Sequence, residues 1–517
     1  MRSRWKGNSL GSAMLLLCIG IALLLGGSAS ATSVAVPSFS KQKTYKTGSN
    51  GGLTGIADLN GDGFPDLVAL EWQHFAVLLN TGHGTFRARS DYQTGPSRSG
   101  AIGDVNGDGR PDLLSTTEGN ATVSVLLNRG DGSFAARQDV PTGRKPRALA
   151  TADLNSDGKA DVVTANDGGT VSVLLSNGDG TFQAHRDYPV SAAATWQLAV
   201  TDLNGDGKPD LVASGDGDDV VWVLLNNGGG TFEPAHEYAT APGDSNSLAV
   251  ADLNGDGRPD LVTAENGGGD SGAVTVLFNS GDGSFTRRDY AMKGGIIPLF
   301  GGPVSASVAD LNGDGRPDVV TVDETDDYVP VGLSVLLNRG DGTFTRIDYP
   351  VGLGRVGGDF VTIGDLNGDG RPDLVLLDNG TAGFAPYTSR IALLLNKGDG
   401  TFQARRDYPA PFFLERVAIG DLNGDGRPDL IGGSVGPDTV SVRLDSPGLC
   451  NVQDVRGLTL VAAKAKLRRV NCRVGKVRRI YHTGVKRGRV VSQTPKFGAV
   501  LRGGGRVDVV VSKGRKR

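Results

Sequence analysis

A nine-residue pattern, DLNGDGFPD at 58–66, returns as DVNGDGRPD (104–112), DLNSDGKAD (153–161), DLNGDGKPD (202–210) and DLNGDGRPD (252–260). It appears three more times as DLNGDGRPD, at 310–318, 365–373 and 421–429, with spacings of 46, 49, 49, 50, 58, 55 and 56 residues. A period of this size makes each repeat one supersecondary unit, so the repeated part of the 517-residue chain is not to be cut into domains by length alone. Glycine is abundant, 79 residues, but shows no strict Gly-X-Y period, which excludes collagen. A charged fraction of 21% and a net charge of −4 exclude a wholly disordered polyelectrolyte. Three Cys cannot build a disulfide-dense scaffold or a four-Cys zinc site.

Each copy has the chemistry of a cation loop. Oxygen ligands at positions 1, 3 and 5 converge when the backbone curls, Gly at position 6 permits the sharp turn, and position 7 offers a carbonyl. In the first copy these are Asp58, Asn60, Asp62, Gly63 and the carbonyl of Phe64. Oxygen ligands without His or Cys favour Ca²⁺ over zinc or copper, and Mg²⁺ demands a tighter octahedron. The helical calcium hand requires an acid at position 12. Here that position holds Ala69, Ser115, Thr164, Ala213, Thr263, Thr321, Leu376 and Gly432. Every copy instead has Asp at position 9 followed by strand-like residues such as LVAL or VVTA. The loop therefore joins two β-strands.

A strand and turn follow, as in VSVLLNRGDGSF (123–134) and LSVLLNRGDGTF (333–344), and read as a β-hairpin. A Phe-to-Tyr strand comes next, as in FQAHRDY (182–188). One unit is a four-stranded meander, and such units repeated around an axis describe an all-β propeller. The eighth loop is followed by VSVRLDSPG (440–448), without a hairpin turn or a fourth strand, while an orphan strand, FSKQKTY (39–45), precedes the first loop. Lending it to the last blade completes eight blades and removes a sheet edge. Seven blades plus an irregular segment is the alternative.

The DxNxDGxxD loops with LLNxGDGTF hairpins resemble the FG-GAP/VCBS-type repeats of integrin-α-like propellers, over about residues 39–445. The resemblance implies up to eight Ca²⁺ on one face, with ligand commonly bound on the opposite face. The implied metal ligands are Asp58, Asn60, Asp62 and Asp66, then Asp104, Asn106, Asp108 and Asp112. Asp153, Asn155, Asp157 and Asp161 form the third set, and Asp202, Asn204, Asp206 and Asp210 the fourth. The fifth and sixth are Asp252, Asn254, Asp256, Asp260 and Asp310, Asn312, Asp314, Asp318. The last two are Asp365, Asn367, Asp369, Asp373 and Asp421, Asn423, Asp425, Asp429. The third copy departs from the pattern, with Ser156 and Ala160 replacing Gly and Pro, but keeps its oxygen ligands.

Charge is divided unevenly. Residues 446–517 carry 19 Lys/Arg against Asp454 and Asp508, a net of +17, whereas residues 34–445 carry a net of −24. The loops alone supply 24 carboxylates, which repel one another unless cations intervene.

Arg2, Arg4 and Lys6 precede an apolar run from Ala13 to Leu25 and an Ala29-Ser30-Ala31 exit, the anatomy of a signal peptide over 1–31. Thirteen apolar residues are short for a membrane span, so the mature chain is expected outside the cell and without one. The propeller is expected over 32–445 and a separate basic domain over 446–517. In the latter, Thr459 caps a helix at 459–470 that places Leu460, Ala463, Leu467 and Val470 on one face. Strands follow at 474–477, 489–493 and 506–512. The stretch from GLTL to VVVSKG, with Gln493-Thr494-Pro495-Lys496-Phe497-Gly498, resembles a PASTA domain, the module of penicillin-binding proteins and wall-sensing kinases. Gln453 stands where many relatives have Pro. Cys450 and Cys472 flank the helix, and a disulfide between them is expected, adding roughly 3 kcal/mol.

Two RGD tripeptides, at 129–131 and 339–341, fall on the hairpin turn and are read as turn residues. Longer loops in the later repeats gather Phe300, Tyr328, Phe384, Tyr387, Phe412 and Phe413, a candidate ligand patch opposite the calcium face. The expected function is binding or adhesion. The propeller would recognise a surface glycan or protein, and the basic domain peptidoglycan or an anionic wall polymer, with no role for nucleic acid. The alternative is an extracellular carbohydrate-active enzyme such as a lyase, for which Asp323, Glu324, Asp326 and Asp327 are the dense acidic candidates, otherwise read as a solvated loop or an extra cation site.

Overall fold

The computed structural model describes residues 37, 39–40, 42–48 and 52–515, except 191–194, 216–218, 268–271, 293–302, 325–329, 350–360, 379–388, 411–413, 435–438, 446–449, 469–471 and 502–504. Eight four-stranded antiparallel sheets are present among these residues. Blade 1 consists of Gly52–Ala57, Asp66–Leu70, His74–Leu78 and Ser90–Gln93, paired in that order. Blades 2 to 7 repeat the meander, with first strands beginning at Ser97, Pro146, Thr195, Asp244, Pro303 and Thr362.

Blade 8 is made from both ends of the ring. Its first three strands are Leu414–Gly420, Asp429–Ser434 and Thr439–Arg443, and its fourth is Lys43–Lys46, with Thr44 opposite Ser441 and Tyr45 opposite Val440. Phe39 makes a further bridge to Asp445. The orphan N-terminal strand thus closes the ring, and the blades number eight.

The second strands of the blades are buried along most or all of their length, as in Asp112–Thr117. Both of their faces press on neighbouring blades, which is why their residues do not alternate between apolar and exposed polar, and why even their Ser and Thr, such as Ser115 and Thr116, are buried. The fourth strands form an exposed rim. Each of eight apolar clusters draws on two adjacent blades. One of them joins Leu53, Leu67 and Leu78 of blade 1 to Leu422, Ile431 and Val442 of blade 8. Burial at roughly 1.5–3 kcal/mol per Leu or Val makes these seams the main cohesion of the ring.

Seven edge-to-face ring pairs lace the seams, each joining a fourth-strand Tyr to a Phe of the next blade, as in Tyr92–Phe134 at 5.0 Å. At the seam between blades 2 and 3, Val140 takes the Tyr place and packs with Phe182. The expected Phe-to-Tyr strand runs unbroken in blades 5 and 6, as Phe285–Ala291 and Phe344–Tyr349. In blade 3 Phe182 makes an isolated bridge to Ser176, and the strand is only Arg186–Pro189.

The C-terminal region holds the helix Leu460–Arg468 against a three-stranded sheet ordered Cys472–Ile480, Gly505–Ser512, Val490–Thr494. Thr459 Oγ1 accepts the Ala462 N–H at 3.3 Å, the expected cap, and Ala463 and Leu467 are fully buried. Among the described residues no helix is long and apolar enough to cross a membrane. The segments 1–31, Phe300, Tyr328, Phe384, Tyr387, Phe412 and Phe413 lie outside the described residues.

Candidate functional site

In the first loop the Asp58 carboxylate gathers the chain around itself. Its Oδ1 accepts the N–H groups of Gly61 and Asp62 at 2.8 and 3.1 Å, and its Oδ2 that of Gly63 at 2.8 Å. Asn60 Oδ1 accepts from Asp62 N at 2.9 Å, and Asp62 Oδ1 from Phe64 N at 2.9 Å. Gly63 sits at φ +83°, a conformation that side chains beyond glycine resist. The third loop puts Ser156 at φ +62° where most copies have Gly, a strained position.

Asp at position 9 lies deeper. Asp66 is fully buried, with Oδ2 accepting Leu59 N–H at 2.9 Å and Oδ1 accepting that of Asn80 at 2.6 Å. The same two bonds recur for Asp112, Asp161, Asp210, Asp260, Asp318, Asp373 and Asp429. Burial, helped by the charges of Asp62 and Asp58 and opposed by the two backbone hydrogen bonds, pushes the Asp66 carboxyl up to about 6. Asp373 and Asp429 are pushed up to about 7 for the same reasons, burial first. Among the described residues no three acidic, His or Cys side chains are already drawn around one point. The donors at positions 1, 3 and 5 stand on the loop crest, and the position-9 carboxylate lies behind them with a second lone pair on each oxygen. This all-oxygen set suits a hard cation, whose charge would offset the mutual repulsion of the carboxylates.

The hairpin Asn is a residue that holds the loops in place and that the motif alone did not reveal. Asn80 Nδ2 donates to Pro65 O at 2.9 Å and to Leu422 O, in the loop of the preceding blade, at 2.7 Å. Asn128, Asn226, Asn279, Asn338 and Asn396 repeat this inter-blade link, and Ser176 replaces it with its hydroxyl. The recurrence of LLN or LFN before six of the seven hairpin turns was the available signal. The RGD tripeptides are turns, as expected. Asp131 caps its own hairpin by accepting from Ser133 N at 2.9 Å, and Arg110 covers Gly130.

The eighth loop differs from its siblings. In five loops the position-7 cation leans on the position-5 Asp, at distances from 2.9 Å for Lys208–Asp206 to 3.9 Å for Arg258–Asp256. Arg427 instead pairs with Asp445 at 3.2 Å, and Asp425 is reached by Arg473 of the C-terminal domain at 3.2 Å. The Asp425 side chain is 8% exposed, against 29–35% for its equivalents in those five loops.

Asp323 is not part of a solvated loop. Its carboxylate accepts from the Thr321 hydroxyl at 2.9 Å and the Ser334 hydroxyl at 2.5 Å, which makes it an internal strut of blade 6. Asp326 and Asp327 lie outside the described residues.

The FG-GAP-like repeat pattern matches residues 58–115, 104–164, 153–213, 202–263, 252–321, 323–376 and 379–432. The chain belongs to the FG-GAP-like repeat family. Residues 451–513 match the PASTA domain. No curated protein matches the chain. Among solved structures, the Dos1 propeller is similar with a TM-score of 0.50 at 10% identity, over 78% of this chain and 94% of that one, which bears out the propeller fold. An Agrocybe aegerita lectin specific for non-reducing terminal N-acetylglucosamine is similar at TM-score 0.43 and 23% identity, over 69% of this chain and 94% of that one. The V. cholerae biofilm matrix protein Bap1 is similar at TM-score 0.45 and 14% identity, over 77% and 88%.

Proposed function

We propose that this FG-GAP propeller is a secreted, calcium-stabilised binding protein that grips the bacterial cell wall through its PASTA domain and a glycan through its ring. The observation that carries the reading is the joining, in one chain, of eight carboxylate-bearing loops to a PASTA domain in a +17 segment. Calcium would sit on Asp58, Asn60, Asp62 and the Phe64 carbonyl, with Asp66 behind, and likewise in the other loops. An extracellular-type affinity of roughly 10⁻⁴–10⁻³ M suits such a structural role. Export by residues 1–31 supplies both the calcium and the oxidising setting in which Cys450 and Cys472 pair.

Sedimentation with purified peptidoglycan tests the wall half, using the full chain and a chain ending at Asp445. Co-sedimentation of the full chain alone, weakened by added salt, is expected. Equal sedimentation of both chains would reject it.

A further inference from the structure

The face opposite the cation loops carries a site built from the early blades. Trp72, Pro96, Glu118, Ala121, Arg144 and Lys145 line an open cavity of about 420 Å³ where the turns and connections of blades 1 to 3 meet. This volume is within the range of small-ligand sites. Trp72 is 42% exposed, whereas Trp222 is buried in a seam. Its backbone is fixed, because the Trp72 carbonyl accepts Ser97 N–H at 2.8 Å. The rim beside it is equally fixed, since Glu118 N–H donates to Pro96 O at 3.2 Å and Asp167 N–H to Lys145 O at 3.0 Å.

Two further observations point to this cavity. Among the described residues three non-glycine positions adopt left-handed backbone, and apart from Ser156 they are Ala121 (φ +51°) and Lys145 (φ +54°), both lining it. Strain of this kind persists where surrounding structure over-determines it, and it concentrates at binding sites. The second observation is charge. A ladder of ion pairs runs behind the cavity: Arg98–Glu118 at 2.8 Å, Glu118–Arg147 at 3.8 Å, Arg147–Asp167 at 2.6 Å and Asp167–Lys145 at 3.7 Å. The ladder employs both carboxylates, and Arg144, exposed at the rim, has no ion-pair partner among the described residues. With Arg98, Arg144, Lys145 and Arg147 against Glu71, Glu118 and Asp167, the site keeps a positive excess, on a ring whose segment carries a net of −24.

We infer that this cavity binds a saccharide bearing a carboxylate or phosphate, its sugar face stacked on Trp72 and its acidic group held by Arg144 and Lys145. An exposed indole offers an apolar face to a sugar ring, and the guanidinium adds charge-assisted hydrogen bonds that a neutral sugar cannot use. The inference deepens the glycan-binding reading above and rests on it.

Calorimetric titration of the full chain in calcium buffer tests it with four probes: tetragalacturonate, a glucose tetramer bearing a phosphate ester, the same tetramer without phosphate, and tetraglutamate. At least one acidic saccharide should bind ten-fold or more tightly than the neutral tetramer and tetraglutamate, and comparison of the two identifies the acid preferred. Trp72→Ala should weaken that binding at least ten-fold, and Arg144→Ala should remove most of the preference over the neutral tetramer. Both positions are exposed, so melting temperatures should stay at the wild-type value. Acidic saccharides that bind both variants as tightly as wild type would place the glycan site elsewhere and overturn this inference alone. Tetraglutamate binding as tightly as the sugars would also overturn it. No saccharide binding by the wild type would overturn the glycan reading with it.

Discussion

The rings of Phe39 and Tyr408 meet edge to face, with centroids 5.1 Å apart and planes at 87°. Phe39 comes from the N-terminal segment and Tyr408 from the fourth strand of blade 7, so the pair occupies the last seam of the ring. Elsewhere the Phe belongs to the hairpin of the following blade. Blade 8 lacks that hairpin, and the N-terminal segment supplies both its Phe and its Tyr, since Tyr45 in turn meets Phe86 of blade 1 at 5.2 Å. The ring closes through two borrowed aromatics.

Phe39→Ala should therefore destabilise the protein by about 2–3 kcal/mol, toward the low end for a large aromatic because Phe39 is only half-buried. Phe497→Ala, at a position 62% exposed, is the control and should be close to neutral. Urea unfolding followed by circular dichroism measures both. Equal midpoints for Phe39→Ala and wild type would mean that the seam does not carry the closure.

Much of this arrangement was legible in the sequence, for particular reasons. The Asp-Asn-Asp-Gly spacing fixed the loops, and the missing hairpin after Val440 with the surplus strand before Asp58 identified the closure. The Thr459 cap fixed the start of the helix. The roles of Asp66 and Asn80 were not legible, because their partners are backbone groups, and the Leu422 carbonyl comes close only once the ring is shut. The Arg98–Glu118–Arg147–Asp167 ladder was equally hidden: its members are scattered along the chain and meet only through the stacking of blades 2 and 3. Aromatic content drew attention to the long later loops, whereas the cavity around Trp72 lies on short turns of the early blades.

Ser156 should be replaceable with profit. Its left-handed backbone costs a residue with a Cβ about 1–2 kcal/mol, partly offset by the greater chain entropy of glycine. The equivalent Gly61 has open space around it, so no packing is lost by removing the side chain. Ser156→Gly is expected to raise stability by about 1 kcal/mol in denaturant titration, and a loss of stability would show that the serine hydroxyl has a role that outweighs the strain.

Glu265 gives the ring a pH dependence that can be isolated. It is fully buried at the end of the second strand of blade 5, where Thr263 donates to it, and burial pushes its carboxyl up from 4.5 to about 7. Asp289 raises it as well, and Arg287 is the nearby cation that interacts with it. Because the folded state holds this proton more tightly than the unfolded state, stability contributed by Glu265 falls as pH rises from about 4.5 to about 7 and is constant above. The fall is on the order of 3 kcal/mol. Glu265→Gln should remove that component, so the difference in unfolding free energy between variant and wild type should grow across this interval. A pH-independent difference would contradict the assignment.

Asp425 should make the eighth loop the weakest cation site, since Arg473 already leans on it. Arg473→Ala should strengthen calcium binding at one site several-fold while leaving the other sites unchanged, as read by calorimetric titration. Arg456→Ala, at a position paired with Asp454 in its own turn, should have no such effect. Identical calcium isotherms for Arg473→Ala and wild type would mean that the contact does not compete with the ion.

As proposed above, the carboxylate loops are cation sites on which the ring depends. Native mass spectrometry of the full chain during calcium titration, with melting temperature recorded on the same samples, tests it most directly. Successive binding of up to eight ions is expected, seven of them before the eighth, with the melting temperature rising throughout and falling back on chelation. A mass unchanged by calcium, together with a melting temperature indifferent to chelator, would contradict it.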